Sequence, residues 1–278
     1  MSNSSLSKNK FLPRLPAAAK KNRTLEIVFH GGLGNQLFQL FYAVCVSKEY
    51  EISKVIINTS RLGSYDPPRV FELDNLELEQ IFSAIIVESS SFISYCRIPK
   101  VLRKLRGEES PVRFGRRIII DGYFQNTVCY KKFHSSVIQE CLNSLKISFF
   151  SCQEDEMVVE NTLHHIRLGD GAFSLDPQEE IKFLEQYFKS YSPKYLMSDK
   201  EDSVNKVSAK FAKVPITIVN SCGLSAVELL NKMGSFKRIK TNGSTLALWA
   251  SILYERDFET SDYLCSTFWN LLVQIKDK

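Results

Sequence analysis

The chain has 278 residues, with 36 Lys and Arg against 31 Asp and Glu, a formal net charge of +5. Its composition, 44% hydrophobic and 24% charged with 12 Gly and 9 Pro, excludes a wholly disordered chain and a collagenous one. Residues 1–24 hold six of the basic groups (Lys8, Lys10, Arg14, Lys20, Lys21, Arg23) and no acidic one; removing them leaves 30 basic against 31 acidic residues. The charge belongs to a basic tail, so the body is not a nucleic-acid binder and no nucleic-acid partner is expected.

In chain order, residues 1–24 read as that tail. Leu25–His30 is a short apolar run ending in Gly31-Gly32, the pattern of a buried strand. Asn35–Tyr50 has helical spacing through Leu37, Leu40, Phe41, Val44 and Cys45, and Ser53–Asn58 reads as a second strand. This β-loop-α-β opening is the mark of a parallel α/β sheet. Phe71–Ser91 and Phe92–Arg106 read as helices, Arg117–Asp121 as a strand, and Gln125–Leu142 as a helix.

A second series follows, with strands at 161–166, 194–198, 216–219 and 237–241. Helices at 178–190, 201–212, 225–233 and 244–255 alternate with them. The expected architecture is two Rossmann-like domains facing a cleft, one at 25–150 and one at 151–278.

The seven cysteines (Cys45, Cys96, Cys129, Cys141, Cys152, Cys222, Cys265) are scattered and odd in number, with no C-x-x-C. They predict reduced thiols in a cytoplasm rather than a disulfide framework or a structural zinc site. No apolar run spans a bilayer, and the start lacks the apolar region of a signal peptide.

Three constellations carry the chemistry. At Gly31–Gln39 (GGLGNQLFQ), glycines at a strand-to-helix turn let a ligand approach the backbone, and free N–H groups there favour an anion. The amides of Asn35, Gln36 and Gln39 follow at once and suit sugar hydroxyls. A dinucleotide fingerprint is excluded, because G-x-G-x-x-G would need glycine where Leu37 stands. The next strand also ends in Asn58 rather than an acid.

At His165–Asp170 (HIRLGD), the motif closes a strand where ligands of such sheets bind. Arg167 can fork onto a pyrophosphate, and His165 and Asp170 are titratable neighbours. At Gly243-Ser244-Thr245, a turn with free N–H groups and two hydroxyls opens a helix and can grip a diphosphate. Trp249 behind it reads as core. There is no D-x-D sequence, so an acidic metal–diphosphate site is not expected.

These residues resemble the α-1,2-fucosyltransferases, glycosyltransferase family 11. The run Gly31–Gln39 is similar to the family's G-G-L-G-N-Q-M-F-Q signature and His165–Asp170 to its H-x-R-R-G-D motif. Asp121–Gln125 (DGYFQ), Tyr195–Asp199 (YLMSD) and Asn242–Ala250 match further segments in order. The resemblance implies a GT-B-like fold, GDP-β-L-fucose as donor, inversion at the anomeric carbon, no cofactor and no required metal.

It assigns Arg167 to the donor phosphates, with His165 and Asp170 shaping that site. Gly32, Gly34, Asn35, Gln36, Gln39, Gly243, Ser244 and Thr245 become substrate-binding residues, and the base stays open among His165, Asp170 and His30. Leu168, Gly171, Gly243, Leu246, Ala247 and Leu248 depart from the pattern, Leu168 replacing a second Arg. A transferase using another nucleotide sugar and an inactive glycan-binding homologue are the alternatives.

Residues 92–106 interleave Arg97, Lys100, Arg103, Lys104 and Arg106 with apolar positions. This suits peripheral contact with an anionic membrane, at its inner face, and a lipid-linked glycan acceptor.

Overall fold

The computed structural model describes residues 23–50, 52–65, 68–89, 111–150, 159–169, 176–211 and 215–276. The basic stretch at 92–106 and Asp170 lie outside them, as does all but the end of the basic tail.

The chain is an α/β protein, and its described residues form two five-stranded sheets. The first has the order β3-β2-β1-β5-β4, from β1 (Arg23–Val28), β2 (Ile52–Asn58), β3 (Ile85–Ser89), β4 (Val112–Phe114) and β5 (Arg117–Asp121). All its pairings are parallel except β4 with β5. The second is wholly parallel, in the order β10-β9-β6-β7-β8. It comprises β6 (Val159–Ile166), β7 (Tyr195–Ser198), β8 (Thr217–Ile218), β9 (Phe236–Thr241) and β10 (Asp257–Thr260). Crossovers by helices make each half Rossmann-like, the α/β layout expected from the alternating pattern. Arg23 and Thr24 belong to β1 rather than to the tail, and the Arg23 guanidinium donates to the Tyr50 carbonyl at 3.2 Å.

The helices are α1 (Leu33–Tyr50), α2 (Leu78–Phe82), α3 (Ser135–Phe150), α4 (Pro177–Ser190), α5 (Glu201–Phe211), α6 (Ala226–Gly234), α7 (Thr245–Leu253) and α8 (Tyr263–Lys276). Helix α1 is buried on nearly every side. It packs on β1, on α3 and, across the seam between the halves, on α7. Trp249 of α7 is fully buried, with its ring centroid 5.3 Å from Phe38, 5.7 Å from Phe41 and 6.1 Å from Phe268. One hydrophobic core therefore runs through both halves. The seam is filled by aromatic rings where α1 crosses α7.

Two helices expected from spacing differ. Instead of one helix over 71–91 there is the single-turn α2 and then β3. Ser83 takes a left-handed conformation (φ 49°) and stops α2, and the following Ile85-Ile86-Val87 is β-branched and pairs with β2. The expected helix 125–142 begins only at Ser135. A 3₁₀ turn at Thr127–Tyr130 precedes it, capped by the Asn126 side chain accepting the Val128 N–H at 3.0 Å. The sequence reading placed no element beyond 255. Yet α8 closes the core through Cys265, Phe268 and Leu272.

Candidate functional site

In the second sheet the carboxyl ends of three adjacent strands build one loop. Past the end of β6, Arg167 is clasped by Asn242 from the end of β9. The Asn242 Oδ1 accepts the Arg167 N–H at 2.8 Å, and its Nδ2 donates to the Arg167 carbonyl at 2.7 Å. Asp199, from the end of β7, accepts the N–H groups of Leu168 at 2.8 Å and Gly169 at 3.0 Å. Gly169 has φ 96°, open to glycine and strained for other residues.

The result is a fixed backbone that exposes the Arg167 side chain at the sheet edge. Leu168 points the other way, 1% exposed, into a small core with Ile166, Leu184 and Leu196. The positive charge of Arg167 is felt at Cys265 near the start of α8, where burial and the adjacent Asp262 carboxylate push the thiol pKa up.

His165 is buried, and its Nδ1 has no hydrogen-bond partner among the described residues. Burial drives its pKa down to about 4, the Asp199 charge opposing this and Arg167 adding to it. The imidazole is therefore neutral at neutral pH and adds no charge for a phosphate. Asp170 lies outside the described residues.

In the Gly243–Thr245 turn, several polar groups bond within the protein. Ser244 is buried, and its hydroxyl is the N-cap of α7, accepting the Ala247 N–H at 3.3 Å. The N–H groups of Gly243 and Ser244 both donate to the Thr241 hydroxyl, at 3.3 Å each. Gly243 itself has φ 135°, which explains the glycine. Thr245 is half-exposed and packs on Gly34: a Cβ placed on Gly34 would lie 2.5 Å from Thr245 Oγ1 and 2.7 Å from the Leu246 nitrogen. Gly34 is thus the contact that lets the first turns of α1 and α7 touch.

The amides of α1 also separate. Gln36 is fully buried and spends its side chain on protein. Its Nε2 donates to the carbonyls of Gly31 at 3.0 Å and Val70 at 2.8 Å, and its Oε1 accepts the Glu72 N–H at 3.0 Å. Gln39 is equally buried, with its Oε1 accepting the His30 N–H at 3.0 Å. Both staple the β1–α1 turn, and both are enclosed by protein. Asn35 is half-exposed and accepts from the Gln125 amide at 2.8 Å, and Gly32 is half-exposed with open space where a Cβ would be. These two keep a surface position beside the seam.

Beside them stands His30, a base candidate in the sequence, with a partner that sequence reasoning missed. His30 Nε2 meets the Asp121 carboxylate at 2.5 Å, at the carboxyl ends of β1 and β5. Asp121 is buried, with Arg61 Nη2 3.7 Å from its other oxygen. His30 Nδ1 lies 3.4 Å from the Tyr65 hydroxyl, which is 3.0 Å from that of Tyr123. The signal available was position: Asp121 closes a strand and opens the DGYFQ segment. Asp199 and Asn242 also sat just past strands inside quoted segments.

Among the described residues, no three His, Cys, Asp or Glu converge to hold a metal ion. Nor is any helix long and apolar enough to cross a membrane. Among the described residues, Cys45, Cys129, Cys141, Cys222 and Cys265 form no disulfide.

No family model and no curated protein matches the chain. Solved structures do. The fucosyltransferase NodZ from Bradyrhizobium aligns over 84% of this chain and 94% of its own, at 12% identity and a TM-score of 0.48. NodZ α-1,6-fucosyltransferase co-crystallized with GDP aligns over 84% and 93%, at 15% identity and 0.45. The E. coli heptosyltransferase WaaC with ADP-2-deoxy-2-fluoro heptose aligns over 85% and 88%, at 9% and 0.37. At these identities and scores the likeness concerns overall architecture and nothing in the site.

Proposed function

We propose that this chain is an inverting glycosyltransferase. It moves L-fucose from GDP-β-L-fucose to a hydroxyl of a glycan, O2 of galactose by the family resemblance, in the assembly of a surface polysaccharide. The observation that carries the reading is the 167–169 loop. A sheet-edge arginine stands on a backbone that two neighbouring strand ends hold still. The planar guanidinium carried on that backbone can offer two parallel donors to a diphosphate, whose charge grows as the sugar departs. The N-termini of α1 and α7, abutting at the same seam, add positive potential. Gly32 and Asn35 face the seam from the other half, where an acceptor would lie.

The decisive experiment incubates the protein with GDP-fucose and a panel of galactose-terminated glycans, soluble and lipid-linked, and reads product linkage by NMR. Transfer to O2 of galactose supports the full reading. A second reading, a transferase for another nucleotide sugar, is favoured by Leu168. Its burial removes from the site the second arginine that the resemblance supplies. Turnover of GDP-mannose or a UDP-sugar in preference to GDP-fucose selects it. Absence of any donor turnover selects the inactive homologue.

A further inference from the structure

We infer that His30, oriented by Asp121, is the base that takes the proton from the acceptor hydroxyl. This rests on the transferase reading and adds a residue role to it. Three candidates stood level in the sequence, and geometry separates two of them. His165 is enclosed and its Nδ1 meets no partner among the described residues. His30 is held on both nitrogens, by a carboxylate on one side and a hydroxyl on the other.

An ionised carboxylate only accepts, so contact with Asp121 fixes the imidazole proton on Nε2 and leaves the Nδ1 lone pair pointing at Tyr65. The hydroxyls of Tyr65 and Tyr123 then lead outward, Tyr123 being 37% exposed. The groups facing His30 are Asp121 from β5, Tyr65 and Tyr123, with Arg61 across the Asp121 carboxylate. The cluster sits at the carboxyl edge of the first sheet, on the strand that feeds the Gly31-Gly32 turn. It is thus on the acceptor side of the seam.

The step balances as follows. The acceptor oxygen bonds to the anomeric carbon of the nucleoside-diphosphate sugar. The bond from that carbon to the diphosphate oxygen breaks, and its electron pair stays on the diphosphate. The acceptor proton passes to His30 Nδ1, directly or through the Tyr65 hydroxyl. Asp121 stabilises the imidazolium so formed.

The test is the pH dependence of kcat for fucosyl transfer, with GDP affinity measured by calorimetry alongside. The wild type is expected to lose activity on the acid side, and a flat acid side overturns the assignment. His30→Gln should lower kcat roughly 10²–10⁴-fold and abolish the acid limb, with GDP affinity unchanged. Asp121→Asn should lower kcat while keeping GDP affinity, because an amide that donates to Nε2 would move the imidazole proton to Nδ1. An acid limb persisting in His30→Gln, or near-normal kcat, overturns the role. Should His30→Gln not fold, Tyr65→Phe, which deletes one half-buried hydroxyl, is expected to lower kcat without altering GDP affinity. Unchanged kcat there, together with a flat wild-type acid side, counts against the proposal. Failure of the wild type to turn over any nucleoside-diphosphate sugar defeats the transferase reading itself, and this role with it.

Discussion

Asn242 acts on Arg167 as one more residue of a neighbouring strand would. Its side-chain amide accepts the Arg167 N–H and donates to the Arg167 carbonyl, continuing the β6–β9 ladder by a further rung after the His165–Thr241 pair. The loop that carries the arginine is therefore held by hydrogen bonds from Asn242 and Asp199 and by the buried Leu168, and its position depends on single side chains.

Asn242→Ala should cost about 1–2 kcal/mol, since water reaches this half-exposed site and replaces part of both bonds. The larger effect should fall on donor affinity, because the Arg167 backbone is released. Thermal denaturation and GDP calorimetry on the same samples separate the two.

Arg167→Ala removes an exposed side chain, so the fold should survive while GDP-fucose turnover falls to near background. Arg167→Lys should recover little, since a point charge does not reproduce a planar fork. Near-normal turnover in either variant would reject the donor-phosphate role.

Gly34→Ala places a methyl group against Thr245 Oγ1 and the Leu246 nitrogen, where α1 meets α7. The expected loss is about 1–3 kcal/mol, read as a lower urea midpoint. Adding Thr245→Ser should not restore it, because the hydroxyl stays and a backbone atom forms the other half of the clash.

Gln36→Ala strips partners from the carbonyls of Gly31 and Val70 and from the Glu72 N–H. A buried deletion of this kind should cost about 2–4 kcal/mol. If Gln36 touched sugar instead, stability would hold while acceptor KM rose.

His165 gives a pH signature. Its folded pKa, about 4, lies below the ordinary value of 6.5, so below pH 6.5 the unfolded chain binds a proton that the folded chain refuses. The stability it contributes is complete above pH 6.5 and declines as pH falls toward 4, by up to about 3 kcal/mol. The half-buried His164, also lowered to about 4, adds a smaller effect in the same window. His165→Gln should flatten this part of a plot of unfolding free energy against pH.

The sequence by itself determined most of the alternation of strands and helices, an α/β fold with mainly parallel pairing, and the strand ends at which chemistry gathers. These follow from short-range rules: apolar runs of strand length, helical spacing, and glycine at turns. His165, Arg167 and Gly32 sit where such rules put them.

The sequence could not say which polar side chain faces solvent. Asn35, Gln36 and Gln39 are alike in chemistry and adjacent in the chain. Only the packing of α1 against the 70–72 segment, α3 and α7 buries two of them and leaves one at the surface. Ser244 likewise reads as a ligand or as a cap until burial decides for the cap. The His30–Asp121 pair joins residues 91 positions apart, and it exists because β1 and β5 lie side by side in the sheet. Strand order is a long-range property, set by how the whole chain buries its apolar surface, and no local pattern encodes it.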